Sequence, residues 1–207
     1  MKAFIYSGGR FDPENITEHP KGDDLIIAAD GGYKTALALG ARPDILLGDL
    51  DSLDCKDIPD NLEKLQVPAE KDFTDTQLAV DTALKKGASE IVIIGGLDGR
   101  LDHTLSNLAI LEDLNKKRVH AHIANGYNRV HYINSTSTLI PRSGYRYLSL
   151  LCLSEKAKGV SVEGCKYPLN NARLTRDFQF AVSNEIVGNC ALVSVRKGGL
   201  YVIESKD

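Results

Sequence analysis

No apolar run in these 207 residues approaches the roughly 20 needed to span a bilayer. The opening MKAFIYSGG enters a strand pattern too soon to hold a signal peptide. None of the cysteines at 55, 152, 165 and 190 stand in C-x-x-C spacing, so a reduced, cytoplasmic chain is expected. Positive charge is not in excess: 25 Lys and Arg against 28 Asp and Glu leave a net charge of -3. Beyond the short Lys116-Lys117-Arg118 run, no basic stripe offers a nucleic-acid footprint. Two phosphate-binding signatures are missing as well. Without G-x-x-x-x-G-K-S/T the chain is not a P-loop kinase, and without G-x-G-x-x-G after a strand it lacks the usual dinucleotide fingerprint.

What is present is ample apolar material, 43 % of the residues, arranged in short runs that end in glycine. The run on which the rest depends is Ile45 to Leu53, ILLGDLDSL. Its first three residues read as a strand buried on both faces, preceded by Pro43 and closed by Gly48. Asp49 and Asp51 then stand at the carboxyl end of that strand, where open parallel sheets bind ligands. Two carboxylates within about 4 Å repel by roughly 4 kcal/mol at an effective dielectric of about 20, a cost that a bound cation would reverse. Turn propensity alone also favours Asp, Gly and Ser here.

The same grammar recurs along the first 124 residues. Strands are expected at 2–6, 25–29, 65–67, 90–94 and 119–124, with short helices at 33–39 and 59–65. Thr74 and Gln77 form a capping box flanked by a Phe73–Leu78 staple, so a helix starts at Asp75. Its buried stripe is expected at Leu78, Val80, Ala83 and Leu84. A further helix carries Leu101, Leu105, Leu108, Leu111 and Leu114 on one side. Strands alternating with helices imply a doubly wound, mostly parallel sheet. From Arg129 onward the chain is β-branched and aromatic, broken by turn residues, and reads as a small antiparallel β-sandwich. Domains are therefore expected at 1–128 and 129–207.

Placed on this strand map, Asp30, Asp49, Asp51, Asp72, Asp75, Asp98 and Asp102 all fall on one edge of the sheet. Singly, each has an ordinary role available, such as first-turn acid for Asp75 or N-cap for Asp102. Jointly they call for divalent cations or cationic partners. Lys71 and Arg100 supply positive charge on the same edge, Arg100 with a fork suited to phosphate. The Gly8-Gly9, Gly31-Gly32 and Gly95-Gly96 turns let backbone N–H groups approach a nucleotide. The pattern describes a metal-dependent nucleotide site. His103 stands beside these acids, as a first-turn helix residue or a participant. His120 and His122 share a strand face at a spacing that suits a metal, although no acid or cysteine is near them in sequence.

The stretches ADGGY (29–33), PDILLGDLDSL (43–53), EKDFTDTQLA (70–79), GLDGRLDHTLSNL (96–108), KYPL (166–169) and VSNE (182–185) resemble those of the thiamine pyrophosphokinase family, over essentially the full chain. The resemblance implies an N-terminal α/β domain with a C-terminal β-sandwich, and a homodimer with active sites between subunits. It implies transfer of the pyrophosphoryl group of ATP to the hydroxyethyl group of thiamine, releasing AMP. By similarity, Asp49, Asp51 and Asp75 hold Mg²⁺, with Asp72 close by. Lys71, Arg100, Asp102, Thr74 and His103 address the nucleotide, and Asp30, Gly31 and Gly32 line its cleft. Ser183 and Asn184 border thiamine. Animal members stack thiamine on a tryptophan shortly after that pair, and this chain has none, so an apolar or tyrosyl wall is expected instead. Asp75 and Asp102 are both open as the group that orients or deprotonates the alcohol.

Two rival readings stand beside this one. A strand followed by D-x-D is also the nucleophile signature of haloacid-dehalogenase-type phosphatases, although two strands precede Asp49 here. A nonenzymatic nucleotide sensor would bind ATP without turnover.

Overall fold

Short apolar runs closed by glycine become parallel strands, because a strand apolar on both sides needs cover on both faces. The computed structural model describes residues 1–48, 59, 62–66 and 73–207. The chain divides into two compact units, Met1–Gly126 and Tyr127–Asp207. Among the described residues no helix is long and apolar enough to cross a membrane.

In the first unit the strands are β1 (Lys2–Tyr6), β2 (Leu25–Ala29), β3 (Ile45–Gly48), β4 (Glu63–Gln66), β5 (Glu90–Ile94) and β6 (His120–Ala124). They lie in the order β4-β3-β2-β1-β5-β6, and each neighbouring pair is parallel. The order turns back between β1 and β5, which opens a crevice at the carboxyl ends of those two strands. Helix α1 (Gly32–Ala38) packs on β1 and β2, α2 (Asp75–Lys85) on β1 to β3, and α3 (Leu101–Lys116) on β6. At the end of α1, Ala41 N–H donates to Ala36 O (2.9 Å) and Gly40 N–H to Leu37 O (3.0 Å). These bonds close the last turn on Gly40 as the sequence predicts.

Several expectations are corrected here. The 59–65 stretch holds no short helix among its described residues; β4 occupies Glu63–Gln66, paired along β3. Pairing with the open side of β3 overrides its polar, helix-compatible composition. The cap of α2 forms only one half of its box: Thr74 Oγ1 accepts the Gln77 N–H (3.2 Å), while the Gln77 amide reaches forward to Asp81 (3.1 Å). Phe73 remains exposed, so its staple buries little. The stripe of α2 is Thr76, Ala79, Val80 and Ala83 rather than one including Leu78 and Leu84. In α3 the first turn projects from the sheet, leaving Leu101 69 % and Leu105 53 % exposed. The buried side of that helix is Asn107, Ile110, Leu111 and Leu114. Arg100, not Asp102, is the N-cap residue of α3, and the helix begins two residues before His103.

His122 does have an acidic neighbour, supplied by a distant part of the chain. Its Nε2 lies 2.8 Å from Glu18 Oε1, and Lys2 Nζ lies 2.7 Å from Glu18 and 2.8 Å from Glu90. The His122 contact first, and then Lys2, bring the half-buried Glu18 carboxyl from 4.5 down to about 2. A carboxyl whose folded pKa lies below its unfolded value stabilises the fold at higher pH, and that contribution fades between about 4.5 and about 2. Glu18→Gln is therefore expected to flatten the acid limb of thermal stability against pH. Its cost at neutral pH should be about 1 kcal/mol, since solvent screens the pair. An unchanged acid limb in urea melts across that window would contradict the assignment.

The second unit is built from β7 (Asn128–Asn134), β8 (Ser137–Pro141), β9 (Tyr147–Leu151), β10 (Lys156–Glu163), β11 (Leu169–Thr175), β12 (Cys190–Ser194) and β13 (Gly199–Ser205). Two antiparallel layers, β7-β13-β9 and β11-β10-β12-β8, share one core. Ile133, Leu148, Leu150, Leu200 and Val202 from the first layer meet Ile140, Val160, Val162, Leu174 and Val193 from the second. Within the first layer Glu204 is 2 % exposed. Arg129 holds it through both carboxylate oxygens (2.6 and 2.7 Å), and the Ser143 hydroxyl donates a third bond (2.9 Å).

Candidate active site

The crevice predicted by the strand order is a cleft of about 340 Å³ in the first unit. The loop after β1 brings Ser7, Gly8 and Gly9 to it, and the end of β2 brings Ala29, Asp30 and Gly31. The start of α2 contributes Thr74, Asp75 and Thr76; the segment after β5, with α3, contributes Gly96, Asp98, Arg100, His103 and Asn107. Three strand ends and the start of α2 thus supply the walls. Asp30 sits in the left-handed region at φ 46, which is costly for a residue other than glycine. Its N–H donates to Leu47 O (2.7 Å) and its carbonyl accepts the Tyr33 N–H (3.0 Å), so the conformation is fixed at both sides. Gly48, the last residue of β3, lies against Asp30: a Cβ there would come 3.2 Å from the Asp30 Cβ.

Glycine is required at position 32 for a different reason. A Cβ would fall 1.9 Å from Tyr6 O and 2.8 Å from Ser7 N. The first turn of α1 therefore rides directly on the end of β1, and any side chain would push the two apart.

Beneath the cleft runs a set of small buried polar groups that sequence reasoning overlooked. Ser7 and Thr76 hydroxyls are 3.1 Å apart, tying β1 to α2. Asn107 Nδ2 donates to Gly96 O (2.9 Å), tying α3 to the end of β5. An asparagine in the buried stripe of a helix is the one signal that could have pointed to them, since a buried amide needs a polar partner.

On the rim, Arg100 and Asp102 form a two-pronged pair, Nε to Oδ1 at 3.2 Å and Nη2 to Oδ2 at 2.6 Å. The Asp102 carboxyl also accepts the His103 N–H (3.0 Å). Arg100 holds the Asp102 carboxyl below the usual range, and Asp102 raises the guanidinium in turn. A guanidinium has five N–H donors; two are used here, and the remainder can meet an anion. Arg100 and His103 line the cleft, whereas Asp102 is not part of its lining. Asp98 accepts the Arg10 N–H (3.3 Å). Asp49, Asp51, Lys71 and Asp72 lie outside the described residues. Among the described residues no three His, Cys, Asp or Glu are grouped closely enough to hold a metal ion. The acids lining the cleft, Asp30, Asp75 and Asp98, are nonetheless all hard oxygen donors of the kind Mg²⁺ prefers.

In the second unit Ser183 is also left-handed, at φ 59, and its N–H donates to Ser149 Oγ (2.9 Å). The Asn184 side chain is consumed by the chain opposite. Its Oδ1 accepts the Tyr167 N–H (3.0 Å) and its Nδ2 donates to Tyr167 O (2.7 Å). Asn184 thus staples the KYPL and VSNE stretches to each other, while Ser183 is exposed, as are Tyr167, Val182 and Val187.

Two family models cover the chain: "Thiamin pyrophosphokinase, catalytic domain" over residues 17–123 and "Thiamin pyrophosphokinase, vitamin B1 binding domain" over residues 136–200. The chain is 32 % identical to the thiamine pyrophosphokinase of Bacillus subtilis (strain 168), over 98 % of each. The crystal structure of the Bacillus subtilis thiamine pyrophosphokinase superposes with a TM-score of 0.88 at 30 % identity, covering 100 % of both chains. That of the thiamin pyrophosphokinase from Geobacillus thermodenitrificans gives 0.86 at 29 %, covering 100 % of this chain and 98 % of the other.

Proposed function

This chain belongs to the thiamin pyrophosphokinase family, and we propose that its two units divide the work of the reaction. Residues 1–128 bind ATP and the metal, and residues 129–207 border thiamine and pair two copies into a homodimer. The chemistry is transfer of the pyrophosphoryl group of ATP to thiamine. The hydroxyethyl oxygen attacks the β-phosphorus, the bond from that phosphorus to the oxygen bridging to the α-phosphate breaks, and AMP leaves as thiamine diphosphate forms. Family membership sets aside the haloacid-dehalogenase-type phosphatase and the nonenzymatic sensor.

The observation that carries the nucleotide assignment is the cleft at the β1–β5 turning point, where acids, Arg100 and glycine turns meet. Asp75, with Asp49 and Asp51, would hold Mg²⁺, which when bound offsets phosphate charge. Arg100 addresses phosphate oxygens with the donors that Asp102 leaves, and Asp102 keeps the fork oriented. Asp75 lines the cleft where Asp102 does not, so Asp75 is the better placed of the two to orient the alcohol. Asp30 with Gly31-Gly32 walls the nucleotide, and Thr74 and His103 flank it. Lys71 and Asp72 keep the nucleotide roles implied by their motif.

For thiamine, the Ser183 hydroxyl is the group presented to the ligand and Asn184 the residue that positions it. The exposed Tyr167, Val182 and Val187 stand in for the missing tryptophan. Phe178 and Phe180, exposed with ring centroids 5.3 Å apart, offer apolar surface to a second copy, in a cytoplasmic setting.

Incubation with ATP, Mg²⁺ and thiamine should yield AMP and thiamine diphosphate in equal amounts. Formation of ADP in place of AMP would overturn the reaction type.

A further inference from the structure

Lysines and arginines normally alternate with acids across a sheet, because like charges directly opposite one another are destabilising. One place in the second unit breaks that pattern. Lys158 of β10 lies opposite Arg173 of β11 on one side. On the other it is bridged to Lys197, in the turn between β12 and β13, through Lys158 N–H to Lys197 O (2.8 Å) and Lys197 N–H to Lys158 O (3.1 Å). Residues directly opposite project from the same face, so three cations stand in a row from β11 across β10 to the turn that precedes β13. Two strand spacings of about 4.8 Å make that row about 10 Å long. Among the described residues neither Lys158 nor Lys197 is ion-paired.

The row runs beside a concavity of about 500 Å³ lined by Lys156, Lys158, Lys197, Tyr132, Ser135 and Ser154. Its floor is close-packed: a Cβ on Gly199 would fall 1.7 Å from the Tyr132 hydroxyl, so only glycine lets that phenol lie flat against the turn. The acid on its lining is Glu155, which Lys156 neutralises at 2.7 Å. Lys156 first, and Arg173 and Arg176 after it, hold the Glu155 carboxyl below its usual range.

We infer that this concavity is a binding site for a short phosphate chain, a di- or triphosphate, held by the ammonium groups of Lys158 and Lys197. Both lysines stand on the lining, and a phosphate chain supplies several negative oxygens to two ammonium groups that lack an ion-pair partner among the described residues. The site stands apart from the Ser183–Asn184 loop. Lys158 lies near the start of β10 with Lys197 bridged to it, whereas the bridge Cys165–Ile186 joins that loop beyond the other end of the same strand. It rests on none of the assignments made for the nucleotide cleft.

The test is residue-resolved. Inorganic pyrophosphate is titrated into the full-length protein without divalent metal, with amide NMR shifts followed at Ser135, Lys158, Lys197 and Gly199. Saturable shifts are expected at these residues. K158Q/K197Q should weaken that response at least tenfold while leaving pyrophosphoryl transfer at its normal rate. K116Q/K117Q, which removes two lysines of the first unit, should leave the response intact. ATP in place of pyrophosphate identifies the source: tighter binding marks a nucleotide, equal binding a free phosphate chain. Shifts confined to the first unit, or equal losses in both lysine variants, would overturn the proposal. So would binding to vesicles of anionic phospholipid with no response to pyrophosphate.

Discussion

Asp75→Asn is expected to lower kcat by about 10²–10³, the usual effect of removing one group that acts on developing charge. The fold should survive. Asp75 is the first residue of α2, and its carboxylate favours the helix N-terminus by about 0.3–1 kcal/mol. Losing that should shift the melting temperature by no more than about 4 °C in a unit of this size. Thr74 still caps the helix, because its hydroxyl accepts the Gln77 N–H independently of position 75. Steady-state rates with saturating ATP and thiamine, set beside a thermal melt, separate the two roles. Undiminished kcat in a folded variant would remove Asp75 from the reaction. A kcat loss matched by unfolding would reduce it to a structural acid.

The largest stability effect should come from the second unit. Arg129→Met leaves the Glu204 carboxylate buried with only the Ser143 hydroxyl. Uncompensated buried charge of that kind costs about 3–5 kcal/mol. In an 81-residue unit (207 − 126), each kcal/mol is worth about 4–8 °C, so the melting temperature of this unit should fall by more than about 12 °C. The double variant Arg129→Met with Glu204→Leu should recover much of the loss, because no charge remains to be paired. A single variant that melts within about 2 °C of the parent would show that Glu204 reaches water by another route.

The sheet was legible because its strands are apolar on both faces. ILLG, LIIAA and EIVII have few alternatives once glycine closes each run. The acids on the carboxyl edge were legible for the same reason, since strand ends fix where the next residues must stand. What the pattern missed lay where burial and composition part company. β4 is polar along Glu63–Gln66 and owes its form to pairing with β3, a long-range cause that local propensity does not carry. The leucine stripe of α3 was over-extended because its first turn stands at the cleft rim, where Leu101 and Leu105 face outward. Ser7, Thr76 and Asn107 are ordinary polar residues in sequence, and only their burial marks them. The link between His122 and Glu18 joins residues far apart in the chain, so spacing could not reveal it.

Strand β13 is buried along most of its length, Gly199 through Val202 without a break. A strand apolar on both sides gives alternation nothing to choose between, so sliding it by one step would bury almost as much oil. Glu204 opposite Arg129 removes that degeneracy: any slipped alignment separates the acid from the guanidinium that grips both its oxygens. The pair therefore serves as an alignment key for β13, and its absence should show as heterogeneity of pairing even where compactness is retained.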